Sequence, residues 1–153
     1  MKIKGLISED FVNYKKPAMT IMFPYCTFKC GTEYCQNSPL AREKNIDLKI
    51  EDIIDKYINN PITESIVMQG LEPFDSWSDI LNIVKQLRDK CNDDIVIYTG
   101  YYKEEIGNEI FILSQYKNII IKYGRYIPNQ EKHYDEVLGI WLASDNQYAE
   151  KIS

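Results

Sequence analysis

The chain alternates short unbroken apolar runs with longer stretches in which apolar residues recur every three or four positions. Ala18 to Phe23 (AMTIMF), Ser65 to Gln69 (SIVMQ), Asp94 to Gly100 (DIVIYTG) and Asn118 to Gly124 (NIIIKYG) are runs of the first kind. They are short and apolar, so each reads as a strand, Ala18 to Phe23 as a buried one. Leu48 to Ile58 puts Ile50, Ile53, Ile54, Tyr57 and Ile58 on one helical face, and Asn60-Pro61 stops it. Ser76 to Lys90 opens on a serine suited to capping a helix and repeats Ile80, Leu81, Val84 and Leu87 at helical spacing. Lys103 to Tyr116 reads as a third helix. After Gly124 the pattern weakens, and Val137 to Ala143 reads as one further strand.

Strands alternating with helices predict an α/β fold. The expectation is a single compact domain over residues 1–153, with a parallel sheet joined by right-handed crossovers, open or curled into part of a barrel. In such folds ligands bind beyond the carboxyl ends of the strands. That rule brings four segments to one edge: Cys26 to Cys35, Gly70-Leu71-Glu72-Pro73, Thr99-Gly100-Tyr101 and Tyr123-Gly124-Arg125. Pro24 helps to end the first strand, because proline cannot donate to a ladder.

Composition narrows the classes. At 153 residues the chain supports one core of ordinary size. A net charge of −5 argues against nucleic acid as a general partner. No apolar run is long enough to span a bilayer, and MKIKGLISED is not a secretory signal, so the expected compartment is the cytoplasm. Thiols stay reduced there, which makes clustered cysteines metal ligands or catalytic groups rather than disulfide partners.

Three of the four cysteines, Cys26, Cys30 and Cys35, fall in one loop, separated by three and then four residues. Thiolates bind zinc or iron–sulfur clusters, and a structural zinc site normally closes with four protein ligands. The loop offers three. Cys91 lies between a helix and the following strand, on the opposite edge, and reads as a small buried apolar residue. His133, the only histidine, sits in the polar EKHYDE and reads as exposed. A three-cysteine site with an open position suits a catalytic cubane whose fourth iron binds substrate; zinc is the alternative.

Beyond the bare spacing, the loop carries Tyr34 directly before its third cysteine and Cys35-Gln36-Asn37 after it, and so resembles the cluster loop of the radical S-adenosylmethionine (SAM) superfamily. QGLEPF is similar to that superfamily's Gly-Gly-Glu-Pro turn. IYTGY and ASDNQ (Ala143 to Gln147) resemble stretches of the small activating proteins of anaerobic ribonucleotide reductase, and the order of motifs matches over essentially the whole chain. Three departures stand out. The family spacing is Cys-x3-Cys-x2-Cys, Leu71 replaces the second glycine, and Lys122-Tyr123-Gly124 stands where the family has an acidic residue before glycine.

The resemblance implies a half-type radical SAM barrel with its cluster loop at 26–35. It implies that Cys26, Cys30 and Cys35 bind three irons of a [4Fe–4S] cluster and that SAM chelates the fourth through its amino and carboxylate groups. One electron then cleaves the sulfonium to a 5′-deoxyadenosyl radical. Glu72 is expected to accept a hydrogen bond from the SAM amino group, with Gly70, Pro73, Thr99 and Gly100 lining the pocket and Tyr34 against adenine. The implied partners are a glycyl-radical enzyme, the large subunit of anaerobic ribonucleotide reductase, and flavodoxin or another one-electron donor. Tyr98, Tyr101, Tyr102, Tyr123 and Tyr126 are candidates for the docking face. Two other readings stand beside this one: a compact radical SAM enzyme acting on another protein, peptide or small molecule, and a non-catalytic metal module.

Overall fold

The computed structural model describes residues 1–33 and 35–153. Its strands, in chain order, are β1 (Lys2–Ile3), β2 (Gly5–Asp10), β3 (Ala18–Phe23), β4 (Ile46–Asp47), β5 (Ser65–Gly70), β6 (Asp94–Tyr98), β7 (Ile119–Tyr123), β8 (His133–Asp135), β9 (Ile140–Leu142) and β10 (Tyr148–Lys151). The helices are α1 (Ile50–Ile58), α2 (Trp77–Arg88) and α3 (Gly107–Leu113), and short 3₁₀ turns at Pro73–Ser76 and Lys103–Ile106 lead into the last two.

Six strands form the main sheet in the order β10-β7-β6-β5-β3-β2. The four predicted strands β3, β5, β6 and β7 pair side by side and in parallel. Each crossover steps to the next neighbour in the same direction, so right-handed connections place all three helices on one face. The packing agrees. Residues of α1, α2 and α3 share one core with Met19, Ile21, Ile66, Met68, Ile95, Ile97, Ile119 and Ile121 of the strands.

The expected all-parallel sheet is corrected at both edges. There β2 runs antiparallel to β3, and β10 antiparallel to β7. Val137 to Ala143 does not join this sheet; its strand part, β9, pairs with β8 in a separate hairpin. That hairpin and the segment around Tyr14 cover the second face, where Ala18, Val67, Val96 and Ile120 pack with Leu138 and Leu142. Two helix details also differ. Ile58 is 41% exposed, because it falls at the last residue of α1, while Ile83 of α2 is fully buried. Ser76 occupies the cap position of α2, but its hydroxyl makes no capping bond and is buried without a partner.

Side chains alternate along each strand, so the residues facing away from the helices follow from a period of two. In the middle of the sheet that face carries Val67, Val96 and Ile120, with Asp94 at the amino end of β6 bonded to Tyr14 and Lys16. Towards the carboxyl ends it carries Met22, Gln69, Tyr98 and Lys122, which floor the cavity described next.

Candidate iron–sulfur and ligand site

A cavity of about 440 Å³ opens at the carboxyl edge of the parallel strands. Cys26, Cys30 and Cys35 lie on its wall together with Gly70, Glu72, Thr99 and Gly100. The structure therefore gathers these predicted residues at one place. Pro73 is buried directly beside them and opens the 3₁₀ turn that precedes α2. Tyr34 lies outside the described residues. Among the tyrosines proposed for this face, Tyr98, Tyr101 and Tyr126 line the cavity and Tyr102 lines a shallower hollow next to it. Tyr123 is a correction: it is fully buried in the helix-side core, because it is one residue out of phase with Lys122.

The cysteine loop is tied to the scaffold at three points. The Glu72 amide donates to the Tyr25 carbonyl (2.7 Å), the Thr27 amide to the Asp75 carboxylate (2.9 Å), and the Asn37 side chain to the Gly70 carbonyl (2.7 Å). Asp75 also accepts from the Tyr101 hydroxyl (2.7 Å), so one carboxylate bridges the cysteine loop and the turn after β6. Within the loop, Phe28 adopts a left-handed backbone (φ 52°), and its amide donates to the Cys26 sulfur at 3.1 Å. All three thiols are half-buried. Burial pushes the Cys26 thiol up to about 11, and burial followed by the proximity of Cys35 raises that of Cys30.

Gly70 holds the next turn. Its φ is +102°, and a Cβ there would lie 2.8 Å from the Phe23 backbone nitrogen, so only glycine fits between β5 and β3. Leu71, in place of a second glycine, keeps the strand pairing going by donating its amide to the Phe23 carbonyl.

Glu72 is 4% exposed and is held by protein donors. One oxygen accepts from the Phe74 amide (3.1 Å) and the Thr99 hydroxyl (2.8 Å); the other accepts from the Gly100 amide (2.8 Å). A carboxylate has about four acceptor positions, so one remains on the second oxygen. Burial pushes its pKa up to about 7 against the opposing pull of these three bonds.

At the end of β7, Gly124 has φ +100°, and a Cβ would stand 3.0 Å from the Asn146 carbonyl. The ASDNQ segment seals this corner: Gln147 donates to the Gly124 carbonyl (3.2 Å), and the Asn146 side chain to the Arg125 carbonyl (2.7 Å). The Lys122 ammonium donates to the same Gly124 carbonyl at 3.3 Å. Arg125 and Lys29 meet at Glu105 on the rim.

Cys91 and His133 are both absent from the cavity wall. Cys91 is half-buried and packs against the helix-side core, as its position at the other edge requires. His133 is half-buried in β8 with its Nδ1 enclosed and unpartnered, which corrects the expectation of an exposed residue. Among the described residues, no three Cys, His, Asp or Glu side chains converge on a single-ion site. The wall offers three separate thiols and one carboxylate already bonded within the protein. That donor set suits a cubane, whose irons sit at separate corners and prefer thiolate.

The site thus has the chemistry of an iron–sulfur centre built at the carboxyl edge of a parallel sheet. The chain belongs to the family described as 4Fe-4S single cluster domain, a family in the radical SAM group, whose model matches residues 17–149. A comparison with curated proteins finds no match. The matched range includes every residue named above on the cavity wall. No helix of the described residues is long and apolar enough to cross a membrane.

Proposed function

We propose that the protein is a radical SAM enzyme in which Cys26, Cys30 and Cys35 hold three irons of a [4Fe–4S] cluster and SAM occupies the adjoining cavity. The observation that carries this reading is the convergence of three thiols, Glu72 and the Thr99-Gly100 turn on one cavity, within a chain of the 4Fe-4S single cluster family. When bound, the reduced cluster would supply one electron to the SAM sulfonium, breaking its C5′–S bond so that methionine leaves and a 5′-deoxyadenosyl radical remains. The chain's own residues do the rest. Glu72 offers its last free acceptor position to the SAM amino group, a charge-assisted bond. Gly70 sets the turn against β3, Gly100 fixes Glu72 through its amide, and the sheet floors the cavity beneath the reacting centre.

The target is a glycyl-radical partner of the anaerobic ribonucleotide reductase type, with flavodoxin or a similar protein as electron donor. Support comes from ASDNQ, which folds against the cavity corner and is similar in sequence to a stretch of the activating proteins that the chain resembles. A small-molecule or peptide substrate is the second reading, favoured by the buried lysine in the cavity floor. The test is anaerobic reconstitution with iron and sulfide, reduction, and addition of SAM. Formation of 5′-deoxyadenosine, with an electron paramagnetic resonance signal altered by SAM, is expected. A fully loaded cluster that neither responds to SAM nor cleaves it overturns the reading.

A further inference from the structure

Lys122 is the charged residue least accounted for by the fold. It lies on β7 with its side chain on the cavity side and is 8% exposed. On this face of the sheet Asp94, buried at the amino end of β6, is compensated by the Tyr14 hydroxyl (3.0 Å) and the Lys16 ammonium (2.5 Å), while Val96 and Ile120 are apolar. A methionine or leucine would continue that surface without desolvating a charge. Among the described residues Lys122 makes no ion pair; its polar contact is the Gly124 carbonyl at 3.3 Å, with the Tyr98 ring centroid 5.8 Å away. Burying an ammonium on so little compensation is unfavourable unless something else meets it.

The cavity wall carries three cations, Lys29, Lys122 and Arg125, against the single carboxylate of Glu72, in a chain whose net charge is −5. Arg125 is committed to Glu105 at 2.7 and 2.9 Å, and Lys29 approaches the same carboxylate at 3.8 Å. Glu72 attracts Lys122 across the cavity without reaching it, and burial brings the ammonium's pKa down to about 8. Lys122 is therefore the cation left facing the cavity interior.

We propose that Lys122 is the anion-receiving residue of this cavity, and that the molecule seated on the sheet beside the thiols presents a carboxylate to its Nζ. The assignment rests on the cavity being a ligand site, as proposed above, and not on SAM being cleaved there. Two sources share this chemistry: the methionyl carboxylate of SAM itself, or a carboxylate on a second molecule bound beside it.

The test uses cluster-loaded, oxidised protein with ¹³C-labelled lysine, the Lys122 signal being assigned by its loss in Lys122→Met, or in Lys122→Gln where the first variant folds poorly. The Lys122 Cε resonance is followed over pH with SAM, with decarboxylated SAM, and with succinate added to SAM-saturated protein. A signal shifted and titrating at higher pH with SAM but not with its decarboxylated analogue identifies the methionyl carboxylate. A response to succinate on top of SAM identifies a second carboxylate ligand. In either case the affinity for that probe falls at least tenfold in Lys122→Met. A Lys122 signal indifferent to all three probes overturns the proposal. The readout needs no turnover, so failure to form 5′-deoxyadenosine leaves it standing or falling on its own.

Discussion

The Gly100 amide donates to the buried Glu72 carboxylate at 2.8 Å, joining the loops that follow two neighbouring parallel strands. With Thr99 bonded to the other oxygen, a single side chain sets the spacing of the turns after β5 and β6. The Glu-Pro turn is thus a structural brace as well as a candidate ligand, and its charge state matters to both roles.

The stability of the cluster-free protein should fall as pH rises through the weakly acid range. Glu72 has a folded pKa of about 7, above the 4.5 of a free glutamate, because burial disfavours the anion. Below pH 4.5 folded and unfolded states both carry the proton. Between 4.5 and 7 the unfolded state releases it first, so ionisation draws the chain towards unfolding; above 7 the effect is constant. The expected loss is up to about 3 kcal/mol. Urea denaturation at a series of pH values checks it, and Glu72→Gln should flatten the slope over this window.

Lys122 should show the opposite window. Its folded pKa of about 8 lies below the ordinary 10.5, so stability gains as pH rises from 8 to 10.5, where only the unfolded chain still holds the proton. Lys122→Met should remove that gain and raise stability at pH 7 by about 1–3 kcal/mol, since a buried charge with little compensation is replaced by an apolar side chain. Thermal melts at pH 7 and pH 10 of both proteins decide it. A methionine variant less stable at pH 7 would mean that the ammonium is better compensated than its contacts indicate.

Gly70→Ala should destabilise by about 2–4 kcal/mol. The methyl group would meet the backbone of Phe23 and Met22, which cannot turn aside as a side chain can, and φ of +102° is itself unfavourable for alanine. The same change at Gly107, where a Cβ meets nothing within 4 Å, should be neutral or mildly stabilising and is the natural control.

Replacing Cys26, Cys30 or Cys35 singly by serine should abolish stable cluster assembly, read as iron and sulfide content after anaerobic reconstitution. Cys91→Ser should leave that content unchanged, because Cys91 packs against the helix-side core away from the cavity.

The parallel strands were legible because they are buried on both faces. Ile119, Ile120 and Ile121 are apolar in succession whichever way each points, and such a run has few other readings. Edges carry no such signal. In β10, Tyr148–Lys151, only Ala149 is buried, and its polar neighbours look like any exposed loop until the register with β7 is known. The cysteines, Glu72 and the Thr99-Gly100 turn were found because each follows a recognisable strand. Asp75 was not singled out, because it acts by bridging two distant loops; Lys122 was noted only as a departure from the family's acidic residue, because it lies inside a strand, where only the alternation of faces turns its side chain into the cavity. Reading that alternation through IIIKY would have placed Lys122 opposite the helices and Tyr123 beneath them.

The antiparallel β10 has a consequence for how the chain is made. During synthesis β7 emerges ahead of the hairpin and ASDNQ, so its outer edge of buried isoleucines waits for residues 148–151 before it has a partner. Until then the nascent chain presents an open, sticky border of the kind that recruits other strands. Chaperone engagement on the ribosome would therefore be concentrated in the interval between the appearance of Tyr123 and that of Lys151.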